Sequence, residues 1–133
     1  MSEKTIQQIK KIISSFKQVK LAYIFGSQAT GKAGPLSDYD FAVYLDERDK
    51  AKMFDIRLKL MTQLGLLLKT DEVDVVVLNT ADSPDLKFDA IKNGKILLEK
   101  EPYKLLIEPQ ISNEYFDFNF GLFKNHLTKT LYD

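Results

Sequence analysis

The chain has 133 residues, 44% of them apolar, and its 19 basic and 19 acidic side chains cancel. That suits one compact domain with a real core, is too short for two ordinary domains, and argues against disorder and against a generally basic nucleic-acid binder. With no cysteine, disulfides, thiolate metal sites and thiol catalysis are excluded. His126 is the one imidazole, and its place near the chain end reads as a surface position. No apolar run approaches the roughly 18 residues of a membrane span. The N-terminus lacks the apolar stretch of a signal peptide, so the expectation is a cytoplasmic protein.

In chain order, residues 5–17 predict a helix. Thr5 and Gln8 are spaced for a capping box, and Ile6, Ile9, Ile13 and Phe16 make an apolar stripe. Leu21 to Phe25 is apolar throughout, the pattern of a strand buried on both faces. The small-residue stretch Gly26 to Pro35 breaks that pattern and allows backbone amides to approach an anion. Asp38 to Leu45 predicts a second strand, with Tyr39, Phe41, Val43 and Leu45 on one face and Asp38, Asp40, Ala42 and Tyr44 on the other. A long helix to about Lys69 follows, with Met53, Ile56, Leu60, Leu64 and Leu67 on one side. Gly65 costs that helix roughly 1 kcal/mol against alanine.

Glu72 to Leu78 predicts a third strand, its valines alternating. Asp74 sits inside this apolar run, where a carboxylate needs a partner. Glu72 shares its face but lies nearer the strand start. Ser83-Pro84-Asp85 starts a helix and Asn93-Gly94 stops it. Lys95 to Glu99 predicts a short edge strand. The segment bracketed by Pro102 and Pro109 has no clear pattern. Residues 113–131 predict a helix with Phe116, Phe120, Phe123, Leu127 and Leu131 at spacings of three and four. So many rings on so small a domain suit either the core or a partner or dimer contact.

The chemistry concentrates between Gly26 and Asp40. Asp38 and Asp40 occupy alternate positions of a strand and so point the same way. Like charges side by side disfavour each other's ionised form, which a shared cation relieves. Gly26 to Lys32 fits the first seven positions of a P-loop, but Ala33 replaces the magnesium-binding Ser or Thr and Gly34-Pro35 replaces the helix start. The better description is Gly26-Ser27, ten residues, then Asp38-Tyr39-Asp40, with Asp74 downstream.

That pattern resembles the nucleotidyltransferase superfamily that includes DNA polymerase beta. The size is similar to its minimal members, the MNT proteins paired with HEPN-domain toxins. The resemblance covers residues from about 21 to 98. It implies an α+β nucleotidyltransferase fold: one domain over 1–133, a small mixed sheet packed against helices, and an aromatic-rich C-terminal helix. It implies that Asp38, Asp40 and Asp74 are catalytic and hold two magnesium ions, and that Gly26 and Ser27 bind the phosphates of ATP. It further implies AMP transfer to a tyrosine hydroxyl of a HEPN ribonuclease toxin, with this chain as the antitoxin. Family members often carry arginines where this chain has Gln28 and Thr30; Lys32 is the nearest substitute, as a flexible point charge. The missing guanidinium groups keep open an alternative, an inactive fold that inhibits its partner by binding alone.

Overall fold

The computed structural model describes residues 1–26 and 39–132, with side chains to His126. Among them, four strands form one mixed sheet. Strand β1 (Val19–Phe25) lies inside it, antiparallel both to β2 (Tyr39–Leu45) and to β4 (Lys95–Glu99). Strand β3 (Val73–Val77) runs parallel to β2, giving the order β3-β2-β1-β4. A parallel neighbour needs a crossover, and helix α2 (Lys50–Leu68) supplies it. Helices α1 (Glu3–Ser14), α3 (Pro84–Asn93) and α4 (Tyr103–Tyr132) complete the α+β fold.

The strands sort their side chains by parity, as alternation requires, except that an irregularity between Val19 and Leu21 turns Val19 to the same face as Ala22 and Ile24. Val19, Ala22, Ile24, Phe41, Val43, Leu45, Val73, Val75 and Val77 meet Ile9 and Ile13 of α1 and Met53, Ile56, Leu60 and Leu64 of α2. On the other face Leu21, Tyr23, Phe25, Ala42 and Leu78 meet Ala90 of α3 and Ile107 and Ile111 of α4. Strand β1 is therefore buried on both faces, as its unbroken apolar run predicts.

Two helices differ from the sequence expectations. Helix α1 starts earlier: Ser2 is the N-cap and its Oγ accepts from Thr5 N at 3.1 Å, so Thr5 sits inside the first turn. The same helix stops at Ser14, where the Ser14 and Ser15 hydroxyls turn back onto the carbonyls of Lys11 and Ile12. Such bonds compete with helix continuation. The unpatterned segment after Pro102 is helical, and α4 runs through Pro109 for thirty residues. Its buried residues are Ile107 and Ile111, whereas Phe116, Phe120 and Phe123 are 60, 64 and 59% exposed. The aromatic stripe is thus not the face that packs on the sheet. Gly65 has a structural reason: a Cβ there would lie 2.9 Å from the carbonyl oxygen of Thr70, where the chain closes α2.

Candidate active site

The parallel ladder between β2 and β3 aligns Asp40 with Asp74. Register partners in a parallel pair project to the same side, so these carboxylates share a face of the sheet. It is the face that carries Ala42 and Leu78 to α3 and α4. Glu72 falls outside β3, is exposed, and supplies its carbonyl oxygen to Tyr39 N at 2.9 Å.

Gly26 closes the site from the other side. Strand β1 pairs Phe25 with Asp40, which brings the following residue against the Asp40 side chain. Gly26 has φ +76°, a left-handed conformation that favours glycine. A Cβ on it would stand 2.7 Å from Asp40 Oδ2. A side chain at this position would therefore collide with the Asp40 carboxylate. Ser27, Gln28, Thr30, Lys32 and Asp38 lie outside the described residues.

Asp74 is half-exposed and has a cationic partner that sequence reasoning missed. Arg57 Nη2 lies 3.0 Å from Asp74 Oδ1, and Arg57 Nε donates to the carbonyl oxygen of Val75 at 2.7 Å. The signal in the sequence was slight. Arg57 falls four residues after Met53 and three before Leu60, at the margin of the apolar stripe of α2, where a charged residue reads as solvated.

One cavity adjoins Arg57 and Asp74, and another lies farther along the same face of the sheet. The first, of about 390 Å³, follows the open edge of β3 and is lined by Lys50, Phe54, Arg57, Asp74 and Thr80 among others. The second, of about 290 Å³, lies on the carboxylate-bearing face near Tyr44, Asn79, Lys87, Gln110 and Glu114. Lys87 is nine-tenths buried, and its Nζ donates to Glu114 Oε2 at 2.9 Å. Asn79 prolongs the sheet beyond β3, accepting from Leu45 N at 2.9 Å and donating to the Leu45 carbonyl oxygen at 2.8 Å.

The donor chemistry fits a hard cation. Magnesium takes oxygen ligands, commonly one or two carboxylates with water and substrate phosphate. Asp40 and Asp74 offer carboxylates on one face of the sheet, and Gly26 packs against the first of them without a side chain. No group of three metal-ligating side chains occurs among the described residues.

Comparison with known proteins gives the family and the fold. Residues 7–103 match the family described as "Polymerase beta, Nucleotidyltransferase". A relative named "Protein adenylyltransferase MntA", from Aphanizomenon flos-aquae, is 31% identical over 97 residues, covering 68% of this chain and 63% of the relative. The match thus spans just under two thirds of that protein. A mutant crystal structure described as the toxin–antitoxin MntA–HpeT has a chain similar in fold, with a TM-score of 0.75 at 22% identity, covering 96% of this chain and 98% of that one. A structure described as the tri-AMPylated Shewanella oneidensis HEPN toxin in complex with MNT antitoxin gives 0.72 at 21% identity, over the full length of both chains.

Proposed function

Because the chain belongs to the polymerase-beta nucleotidyltransferase family, we propose that it is a protein adenylyltransferase antitoxin that transfers AMP from ATP to a tyrosine hydroxyl of a cognate HEPN ribonuclease toxin. The observation that carries this reading is the alignment of Asp40 with Asp74, with a left-handed glycine packed so closely on Asp40 that a side chain there would collide with the carboxylate. A carboxylate pair on one face has no packing value, since like charges opposed across strands are destabilising. The names of the similar proteins support the donor group and the class of partner.

Asp38, Asp40 and Asp74 would hold two magnesium ions, and Gly26 and Ser27 would hold the triphosphate with backbone amides and a hydroxyl. Bound magnesium supplies Lewis-acid activation and neutralises charge on the leaving group. In the reaction the acceptor oxygen forms a bond to the α-phosphorus, the bridging α–β bond breaks, and pyrophosphate departs. Asp74, half-exposed near the start of its strand, would complete one ion's shell near the incoming hydroxyl. Lys32 offers a charge where the loop arginines are missing. The chain supplies no nucleophile of its own, so the hydroxyl comes from the partner. The exposed aromatic residues of α4, Phe116, Phe120 and Phe123, form the surface on which the partner docks. A cytoplasmic location suits this role; among the described residues no helix is long and apolar enough to cross a membrane.

The test is transfer from α-labelled ATP to a cognate HEPN toxin. Label on the toxin is expected with magnesium and is lost in Asp38→Asn and Asp40→Asn. Full neutralisation of the toxin with no label transferred would overturn the reading in favour of inhibition by binding alone. The substitution of Gln28 and Thr30 for arginine is what favours that second reading.

A further inference from the structure

Helix α2 packs on the face of the sheet opposite the carboxylates, yet one of its side chains reaches them. The route runs around the open edge of β3. Tyr39 N donates to the Glu72 carbonyl oxygen, and Leu78 N donates to the Val43 carbonyl oxygen. In a parallel ladder this spacing turns the backbone groups of even-numbered β3 residues toward β2 and those of Val73, Val75 and Val77 outward. The outward carbonyl of Val75 receives Arg57 Nε, and that of Val77 receives Thr80 N and Ala81 N. The guanidinium is thereby fixed at the edge by a backbone bond of 2.7 Å, and its Nη2 meets Asp74 Oδ1 at 3.0 Å.

We propose that Arg57 is a positioning residue for nucleotide transfer: anchored to the Val75 carbonyl, it holds one oxygen of Asp74 and leaves the other for the divalent cation. The inference rests on Asp74 being the third carboxylate of the site. A covered sheet edge needs only a donor to Val75. It does not need a planar fork that spans two successive residues, one by backbone and one by side chain, and arginine alone supplies such a fork. Asp74 is 49% exposed, so without the tether its side chain would be free to rotate. A group that orients a metal-binding carboxylate typically contributes 10–100-fold to activity or metal affinity.

The experiment combines Arg57→Ala, Arg57→Lys and Asp74→Asn, singly and as the double variants with Asp74→Asn. Two readouts are taken: AMP transfer to the partner protein, and binding of Mn2+ to the chain alone, followed by the resonance of free Mn2+. Arg57→Ala is expected to lower kcat about tenfold or more, with the KM for ATP within about twofold, and to weaken Mn2+ binding. The sign of the Mn2+ effect is diagnostic. A guanidinium acting only as a charge repels the cation, so its removal would tighten binding. Arg57→Lys keeps the charge and the alkyl stem but not the fork, and is expected to fall close to Arg57→Ala; should the alanine variant not fold, the lysine variant carries the same test.

In the Asp74→Asn background, replacing Arg57 is expected to change neither readout further, because it acts through Asp74. Multiplicative losses, full activity in Arg57→Lys, or tighter Mn2+ binding on removal of the arginine would each overturn the proposal. Full transfer by Asp74→Asn itself is a different failure, removing the assignment of Asp74 and the inference with it.

Discussion

The two faces of the sheet are built for different work. The face under α1 and α2 is aliphatic, and its strand residues from Phe41 to Val75 are nearly all inaccessible. The face under α3 and α4 has a thinner apolar layer and carries Asp40, Asp74, Tyr23 with Glu108, and Lys87 with Glu114. Strand alternation makes this division possible, since one five-residue strand can bury three valines on one side and present a carboxylate on the other. Stability is concentrated on one side and chemistry on the other.

Substitutions can break that division. The largest effect is expected from Asp40→Asn, which should lower AMP transfer by about a thousandfold or more, some 4 kcal/mol in the transition state, while the circular dichroism spectrum stays that of the parent. Leu60→Ala, on the opposite face and fully buried, should do the reverse. It should cost about 3 kcal/mol in denaturant unfolding and leave the transfer rate of the folded fraction near that of the parent. A loss of activity beyond the loss of folded protein would show that the two faces are not independent.

The exposed rings of α4 sharpen the comparison within the chemical face. Replacing Phe116, Phe120 and Phe123 together by serine should weaken toxin binding about a hundredfold, measured by calorimetry. Because these rings are already more than half exposed, the unfolding midpoint should hardly move. A large fall in stability would mean that they belong to the core after all.

The smallest effect concerns pH. Burial, and then the hydrogen bond and charge of Glu108, raise the Tyr23 hydroxyl above its ordinary value of 10.0, so the neutral form is favoured in the fold. A raised value in the folded state contributes stability that is complete below pH 10 and declines above it. Tyr23→Phe should therefore cost roughly 1 kcal/mol at neutral pH, through the lost 2.8 Å bond to Glu108, and flatten the alkaline decline in melting temperature.

Much of this arrangement was legible in the residues, for local reasons. Alternating valines around Asp74 gave β3 and its two faces, and Ser83-Pro84 with Asn93-Gly94 gave both ends of α3. What escaped depended on contacts distant in sequence. Strand order comes from packing, so nothing local revealed that β2 and β3 are parallel neighbours with Asp40 opposite Asp74. Arg57 shows as a surface charge until the edge of β3 is placed beside it. Pro109 hid the first turns of α4, because proline inside a helix is costly by itself; burial of Ile107 and Ile111 offsets that cost. The spacing of three and four marked the phenylalanines as one stripe, but a stripe does not reveal which neighbour covers it.

The length of α4 has a mechanical side. The helix meets α3 where Tyr115 stacks on Phe88 and Phe116 meets the same ring edge-on. Beyond that point it continues to Tyr132, an arm of about 24 Å at 1.5 Å per residue. Pivoted at Phe88, such an arm turns a tilt of about ten degrees into a sweep of about 4 Å at its tip. Whatever grips the outer turns is therefore carried on a lever, and the stiffness of the cluster of three rings at its pivot, one pair stacked and two edge-on, governs how accurately it is placed.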